Sequence, residues 1–288
     1  MAESTAVLAT AVTTVPAAPG PGPSLVPTTP PAPPISTELE AVLKRMRFPY
    51  LRKAAPEVLA TARSQRWDPA EVVRILLEEE IKGRDRATKS NHMKRANLPT
   101  GKTFGSWKEE ESSIPAPTQQ VLMTLEWVHR AENLAAAGPS GTGKSHLAEA
   151  LAHKAIEEGM QVAWFTLESL TAHLGRATVD NTVSKAIAKI TRCHLIVIDD
   201  IGMLPCGQAA AEAFYRVIDA AYERRSVIVT SNLHPSGFDS IMPKTLATAA
   251  VDRLLHHAHV VLTEGTSLRL AQATTGQGVQ PLTPPGRP

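Results

Sequence analysis

The stretch Gly138–Ser145, with the sequence GPSGTGKS, constrains the fold more than any other part of the chain. An apolar run, Leu134–Ala137, leads directly into it, and an apolar, alanine-rich helical pattern from His146 to Ile156 follows. This order of strand, loop and helix is the context in which G-x-x-x-x-G-K-[ST] forms a phosphate-binding loop. Its glycines let backbone N–H groups point at phosphate oxygens, and the helix start adds partial positive charge. The sequence therefore predicts an ATP site here.

Two side chains of this loop carry specific roles. We expect Lys144 to reach the β- and γ-phosphates and Ser145 to ligate Mg²⁺. A chance glycine-rich turn is the alternative, but the strand before the loop and the helix after it argue against one. The predicted nucleotide contacts are Gly138, Pro139, Ser140, Gly141, Thr142, Gly143, Lys144 and Ser145.

A pair of carboxylates follows a second apolar run, Leu195–Ile198. Ligands of open α/β sheets bind at the carboxyl ends of the strands, which is where Asp199 and Asp200 are expected. Asp199 is the better candidate for holding Mg²⁺, directly or through water. Asp200 is the better candidate for polarising the attacking water. A plain turn after the strand is the alternative interpretation.

Polar residues later in the chain extend this predicted site. Asn232 follows the apolar run ending at Thr230 and is a candidate sensor of the γ-phosphate, with a simple turn residue as the alternative. Arg253 is a candidate arginine finger for a neighbouring subunit, with a surface salt bridge as the alternative. The histidines at 256, 257 and 259 have no visible cluster of further ligands, which favours polar surface packing over a metal site.

The remainder of the C-terminal part alternates apolar runs with helical patterns. Continuous Val, Ile and Leu runs are typical of strands that are covered on both faces. Strands that alternate with helices predict a central parallel sheet flanked by helices, an α/β fold. The predicted strands are Asn133–Ala137, Gln161–Thr166, His194–Ile198, Ser226–Thr230 and His259–Leu262.

The N-terminal part is helical and basic by pattern. Between Glu38 and Lys108 there are 16 Lys and Arg residues against 9 Asp and Glu residues, although the whole chain has a net charge of only +2. This asymmetry favours a polyanion partner, with a solvated helical surface as the alternative. A helix start is predicted at Asp68, which would cap it, with Pro69 at its first position and Glu71 completing a capping box.

Composition predicts the domain boundaries. Residues 1–36 are rich in Pro, Ala, Thr and Ser, and we expect a disordered tail there and again in residues 276–288. Between the tails we predict a basic helical domain (37–97), a linker (98–118) and a P-loop domain (119–275). No apolar run is long enough to span a membrane and no signal peptide is recognisable. The scarcity of cysteine, with Cys193 and Cys206 at no metal-binding spacing, suits a cytoplasmic protein.

Several longer stretches resemble one known family. GPSGTGKSHLAEAL, YERRSVIVTSN and, above all, DDIGMLP and LLHH are similar to the IstB-like transposition helper ATPases of insertion sequences. The upstream stretch LLEEEIKGRDRATKSNHMKRANLPTGKTFGSW also resembles the helical segment that precedes the ATPase core in that family. The resemblance covers roughly residues 38–272. These proteins are relatives of the helicase loader DnaC within the AAA+ class.

The resemblance implies a fold, an activity and partners. The core would be an AAA+ domain without a full helical lid, and it would form a homo-oligomer on double-stranded DNA when ATP is bound. It would present that DNA to the transposase of the same element, and hydrolysis would reset the complex. By similarity, Lys144 and Ser145 contact nucleotide and Mg²⁺, and Asp199 is the metal-associated acid. Asn232 is the sensor, Arg253 the inter-subunit arginine and Arg269 a second sensor.

Three functions stay open at this point. In a transposition helper the basic module would contact duplex DNA, because no aromatic residue lies between Trp67 and Phe104 to stack on single-stranded bases. A DnaC-like helicase loader would have a nearly identical core. A nucleotide-gated scaffold with weak hydrolysis is the third, because the family usually has Glu where this chain has Asp200. The predicted DNA contacts are Lys82, Arg84, Arg86, Lys89, Lys94 and Arg95.

Overall fold

The computed structural model describes residues 32–202 and 206–268, and the chain divides into two compact units between Glu80 and Ile81. The first unit contains α1 (Thr37–Arg45), α2 (Pro49–Gln65) and the beginning of α3 (Pro69–Ala96). Glu80 is only 3% exposed, and its carboxylate accepts hydrogen bonds from the backbone N–H groups of Tyr50 and Leu51 at 2.9 and 2.8 Å. The first N–H groups of a helix have no partner within it. Glu80 therefore stabilises the start of α2.

The start of α3 follows the predicted sequence signals in part. The Asp68 carboxylate accepts a hydrogen bond from the backbone N–H of Ala70 at 2.8 Å, and the helix begins at Pro69 as expected. The Glu71 carboxylate, expected to complete a capping box, binds the guanidinium of Arg74. This pairing joins residues that face each other one helical turn apart.

The boundary between the units differs from the expected one at residue 97. Met93 and Ala96, near the end of α3, pack into the hydrophobic core of the second unit, so the division falls inside the helix. The predicted linker 98–118 also packs on that core, through Leu98 and Trp107 among others. Composition suggested a linker because Pro and Gly are frequent there, but the apolar residues between them are buried against the second unit.

The second unit is built on a five-stranded, fully parallel sheet with the order β2-β3-β4-β1-β5. The prediction of a central parallel sheet flanked by helices is confirmed. The strands are β1 (Asn133–Ala137), β2 (Val162–Thr166), β3 (Leu195–Ile201), β4 (Ser226–Ser231) and β5 (Ala258–Leu262). The helices are α4 (Ala116–Met123), α5 (Glu126–His129), α6 (Lys144–Glu157), α7 (Leu167–Val179), α8 (Val183–Ile190), α9 (Gln208–Ala221) and α10 (Lys244–His256).

The interior strand β3 shows why the apolar runs become buried strands. Leu195 and Val197 belong to the core cluster that contains α6, whereas Ile196 and Ile198 belong to the cluster that contains α7, α9 and α10. Successive side chains of a strand point to opposite faces, so a continuous apolar run serves a sheet with helices on both sides. Among the helices of the described residues, none has the length and apolar character needed to span a bilayer.

Candidate nucleotide-binding site

The predicted phosphate-binding loop lies at the carboxyl edge of the sheet, where β1, β3 and β4 end. The backbone N–H of Gly138 donates to the carbonyl of Ser231 at 3.1 Å, which ties the start of the loop to the end of β4. The loop borders a cleft of about 460 Å³ that is also lined by Lys144, Asp199 and Asn232. Side chains predicted from separate stretches of sequence are thus brought to one cleft.

Two glycines of the loop are required by their surroundings. Gly138 has φ +147°, and a Cβ atom there would lie 2.1 Å from the carbonyl oxygen of Thr263. Gly143 has φ +93°, and a Cβ atom would lie 3.2 Å from the ring of Trp107. Side chains at these positions would strain the backbone and displace neighbours, so both glycines keep the loop close to adjoining elements.

Lys144 is held inside the cleft by three acceptors. Its ammonium donates to the carbonyl oxygens of Gly138 at 2.8 Å and Pro139 at 2.7 Å, and to Oδ1 of Asn232 at 3.1 Å. The residue is only 7% exposed. The contact with Asn232 joins the loop to the residue that follows β4.

Asp199 and Ser145 form the oxygen-rich part of the cleft. Ser145 Oγ donates to Asp199 Oδ1 at 2.8 Å, and the Thr230 hydroxyl donates to the same carboxylate oxygen. Mg²⁺ prefers oxygen ligands and keeps several waters, so a hydroxyl and a carboxylate that converge in this way fit the ion. Thr230 was not predicted as part of the site, because a threonine inside an apolar strand carries no local signal of its role.

Asp200 adopts a backbone conformation that separates it from its neighbour. Its φ is +66°, and the pairing of β3 with β4 shifts register between Ile198 and Ile201. Asp199 is buried whereas Asp200 is exposed and lines the cleft. Its backbone N–H donates to Thr230 Oγ1 at 2.9 Å. Asp and Asn adopt left-handed φ values more readily than other residues with side chains, which gives a physical reason for Asp at this position.

One wall of the cleft comes from the segment that sequence composition suggested as a linker. Thr100 and Lys102 line the cleft, and the carboxylate of Glu149 on α6 holds this segment in place. It accepts from Thr100 N–H at 2.8 Å, Thr100 Oγ1 at 2.6 Å and Gly101 N–H at 2.5 Å. Burial acts to raise the pKa of Glu149, but these hydrogen bonds and one from the Lys102 N–H together hold the pKa below its ordinary value.

Trp107 lies next to His146, which lines the cleft. Its indole Nε1–H donates to Gln119 Oε1 at 2.6 Å, and its ring lies edge-on to the ring of His146, with 5.0 Å between centroids. Burial lowers the pKa of His146, and its Nε2 lies 3.2 Å from Ser106 Oγ. Sequence reasoning missed this wall. The available signal was Glu149, a lone acid in an otherwise apolar stretch of helix.

Arg253 lies on α10, outside the set of residues that line the cleft. Its guanidinium pairs with the carboxylate of Asp219 at 2.9 Å, donates to the Ala249 carbonyl at 3.1 Å and lies 5.4 Å from the centre of the Tyr215 ring. Within the chain it therefore forms the salt bridge that was the alternative interpretation. The predicted second sensor, Arg269, is outside the described residues.

The histidines at the end of α10 lie in polar surface contacts. His256 Nδ1 is 2.8 Å from the Tyr222 hydroxyl, and His257 Nε2 is 3.7 Å from the carboxylate of Glu223. Glu223, His256 and His257 are all exposed, and their potential metal-ligand atoms lie within 4.8 Å of one another. His259 Nε2 lies 2.7 Å from the Glu132 carboxylate.

The six predicted DNA contacts are all exposed and lie along the C-terminal half of α3, which is part of the second unit. The helix from Lys82 to Arg95 covers roughly 20 Å at 1.5 Å rise per residue. Positive charge is therefore spread along one element and is not concentrated at a point.

Comparison with known proteins identifies relatives that match most of the chain. Residues 41–276 match the family model described as "IstB-like ATP binding protein". A protein of Pseudomonas aeruginosa named for ATP binding in insertion sequence IS21 is 32% identical over 237 residues, 82% of this chain and 89% of that protein. An insertion-sequence ATP-binding protein of Sinorhizobium fredii is 30% identical over 77% of this chain and 76% of its own length.

Similarity to solved structures is weaker. AMPPCP-bound DnaA from Aquifex aeolicus is 17% identical, with a TM-score of 0.48 over 64% of this chain and 58% of that one. The DnaC helicase loader is 18% identical, with a TM-score of 0.44 over 52% of this chain and 92% of its own. The fold assignment rests on the strand order and the loop geometry described above, and not on these two similarities.

Proposed function

Because this chain belongs to the family of IstB-like ATP-binding proteins, we propose that it is a DNA-binding helper ATPase of an insertion-sequence transposition system. It binds ATP with Mg²⁺, forms a homo-oligomer on duplex DNA and presents that DNA to the transposase of the same element. The observation that carries the proposal is the cleft in which Lys144, Ser145, Asp199, Asp200 and Asn232 converge. Relatives named for insertion sequences supply the biological setting.

The cleft supports nucleotide binding and hydrolysis through distinct groups. Lys144 exchanges its loop carbonyl partners for phosphate oxygens, and the N–H groups of residues 138–145 surround the phosphate chain. Ser145 and Asp199 would hold Mg²⁺, which would neutralise phosphate charge. Asp200, exposed beside them, accepts a proton from the attacking water. Asn232, in contact with Lys144, orients that water next to the γ-phosphate.

Hydrolysis in the assembled state needs positive charge from a second subunit in this proposal. Arg253 would leave Asp219 to reach a neighbour's γ-phosphate, and Arg269 would act as a second sensor. The Arg253–Asp219 pair is partly exposed, with side-chain exposures of 32% and 48%, and surface pairs contribute about 0–1 kcal/mol. The Arg253–Asp219 contact is thus weak enough to be exchanged on assembly.

DNA binding follows from the basic part of α3. Each phosphate that an Arg or Lys neutralises releases counterions, so affinity falls steeply as salt rises. The exposed cations of this helix have no aromatic neighbours in the sequence between Trp67 and Phe104, which favours contact with the backbone of a duplex over stacking on unpaired bases.

The testing experiment measures binding of fluorescent duplex and single-stranded oligonucleotides by anisotropy, with ATP, ADP or no nucleotide, at two salt concentrations. We expect ATP-dependent, salt-sensitive duplex binding that Lys144→Ala abolishes. Lys154→Ala is the matched control, because Lys154 lies on the same helix but pairs with Glu158 at 3.0 Å. Preference for single strands would instead support a helicase loader. Absence of DNA binding under every condition would contradict both and favour a protein scaffold.

A further inference from the structure

A groove in the second unit lies at the edge of the sheet, away from the nucleotide cleft. Its volume is about 670 Å³, and β2, the edge strand, forms its floor through Val162 and Ala163. The end of α3, together with α7 and α8, forms its walls. We call it the basic groove, and its basic lining residues are His92, Arg95, His173, Lys189 and Arg192.

Some cations of the described surface are paired with carboxylates, and others are not. Arg74, Lys108 and Lys154 each pair with a neighbouring carboxylate. By contrast, Arg95, Lys189 and Arg192 are exposed and form no ion pair with any residue in 32–202 or 206–268. No Asp or Glu belongs to the described residues that line the groove. A concave surface with charges of one sign attracts an anion more strongly than the same charges on a flat surface.

Two histidines of the groove, His173 and His92, have buried or electrostatically perturbed ring nitrogens. The pKa of His173 lies below its ordinary value, first because of burial and then because of the charges of Arg176 and Lys189. In addition, Nδ1 of His92 is buried with no hydrogen-bond partner among the described residues. The positive charge of Lys189 therefore reaches His173, and His92 keeps an unused hydrogen-bonding atom.

We propose that the basic groove binds the phosphodiester backbone of duplex DNA, with Lys189 and Arg192 of the ATPase core acting together with Arg95 of α3. This inference rests on the proposed function and extends its DNA contacts from one helix to the core. Arg side chains suit the role because a planar guanidinium binds two phosphate oxygens at once. The DNA is then held by two elements that lie almost one hundred residues apart in the sequence.

Two features favour duplex backbone over other polyanions. The groove continues the charge of α3, where five further exposed basic residues precede Arg95, and such an extended set matches a long ligand better than a single small anion. Phe165 also lines the groove, and its ring packs against the ring of His173 with 5.9 Å between centroids. It is therefore not free to stack on an unpaired base, which disfavours single-stranded DNA as the ligand. An acidic protein segment would use the same cations but is a separate outcome of the test.

The experiment compares full-length wild type with Lys189→Ala/Arg192→Ala. The control is Lys185→Ala/Arg216→Ala, which removes the same charge from exposed positions outside the groove. Duplex binding with ATP is measured by anisotropy across a salt series, and binding of a fluorescent ATP analogue is measured in parallel. We expect the slope of log affinity against log salt to fall by about 1.8 in the groove variant, since each phosphate contact contributes about 0.9. ATP binding should be unchanged in both variants.

The outcomes separate this inference from the proposed function. If wild type binds duplex DNA and the groove variant keeps its slope, the groove assignment is wrong while the function stands. If wild type shows no duplex binding, both are wrong. Binding of poly-L-glutamate, a model of an acidic protein segment, is measured for the same variants. If the groove variant keeps its salt slope for DNA but loses poly-L-glutamate binding, the groove binds an acidic protein segment and the DNA assignment is wrong. A loss of slope in the control variant alone would also overturn it.

Discussion

The nucleotide cleft and the basic groove both present cations to an anion, but they hold them differently. In the cleft, Lys144 is 7% exposed and has three acceptors within 3.1 Å. In the groove, Lys189 and Arg192 are exposed and form no ion pair within the described ranges. A buried, paired cation has one geometry, whereas an exposed, unpaired one can follow a flexible or sliding ligand. We therefore expect the cleft to select one chemical group and the groove to respond to total charge.

This difference predicts how each region tolerates substitution. Groups that act as a unit lose most of their effect when one member is removed. Separate phosphate contacts instead reduce the salt slope by roughly one each. Single changes in the cleft should thus reduce activity by orders of magnitude, and single changes in the groove by small, additive steps.

The largest effect is expected for Arg253, a paired cation that lies outside the cleft. If it acts on a neighbour's γ-phosphate, Arg253→Ala should lower DNA-stimulated turnover roughly 10³–10⁵-fold. Asp219→Ala is the matched variant, because it removes the other half of the same ion pair and leaves the arginine available. The measurement is steady-state ATP hydrolysis with saturating duplex DNA. Equal, small losses in both variants would show that the pair is merely structural and that Arg253 makes no contact with phosphate.

A smaller effect is expected for Asp200→Asn. Asn keeps the shape of Asp and tolerates the φ of +66°, so the fold should be unaffected while the proton acceptor is lost. Turnover should fall about 10²–10⁴-fold, the usual contribution of a general base, with ATP affinity unchanged. The measurement pairs hydrolysis rates with binding of a fluorescent ATP analogue.

Asp200→Glu sharpens this test, because it restores a carboxylate with one more methylene at a backbone position that suits Glu less well. Partial recovery of turnover is expected. Turnover near the wild-type rate in Asp200→Asn would place water activation on another residue, and the proposed role of Asp200 would be abandoned.

The smallest effect concerns Glu149, which fixes the cleft wall. A hydrogen bond to a charged group contributes about 1.5–3 kcal/mol, so Glu149→Gln should lower the free energy of unfolding by an amount of this order. Urea unfolding measures it, and Glu157→Gln, an exposed change on the same helix, is the control. If both variants were equally stable, Glu149 would not be holding the segment at 100–102.

The pH dependence provides a second check on Glu149. Its pKa in the folded protein lies below the ordinary value of 4.5, so the carboxylate stabilises the fold above that value. The contribution is lost as pH falls through the folded pKa. We expect Glu149→Gln to flatten the decline in stability below about pH 4.5, and an unchanged decline would contradict the role.

Much of the second unit could be predicted because its signals are local. The strand Asn133–Ala137 has the predicted bounds, and α6 begins at Lys144, two residues before the predicted start. Apolar runs, loop glycines and acids after a strand each lie within about ten residues, so periodicity and turn chemistry are enough to recognise them. The assignment of functional roles to Asp200, Asn232 and Arg253 stays a prediction.

The division between domains could not be predicted in the same way. Composition placed a boundary at residue 97 and a linker at 98–118, yet Met93, Leu98 and Trp107 pack on the second core. Pro and Gly mark turns, but they do not show which surface the intervening apolar residues cover. That depends on contacts with α6 and the sheet, which are distant in the sequence.

The sequence by itself therefore determined the succession of strands and helices along the chain, the phosphate-binding loop and the family. These depend on neighbouring residues. The tertiary structure alone decided which distant side chains meet. It joined Thr100 to Glu149 and Arg253 to Asp219, and it brought Arg95, Lys189 and Arg192 to the same groove. Such meetings follow from the stacking of helices on a twisted sheet, where position in space is set by packing and not by separation along the chain.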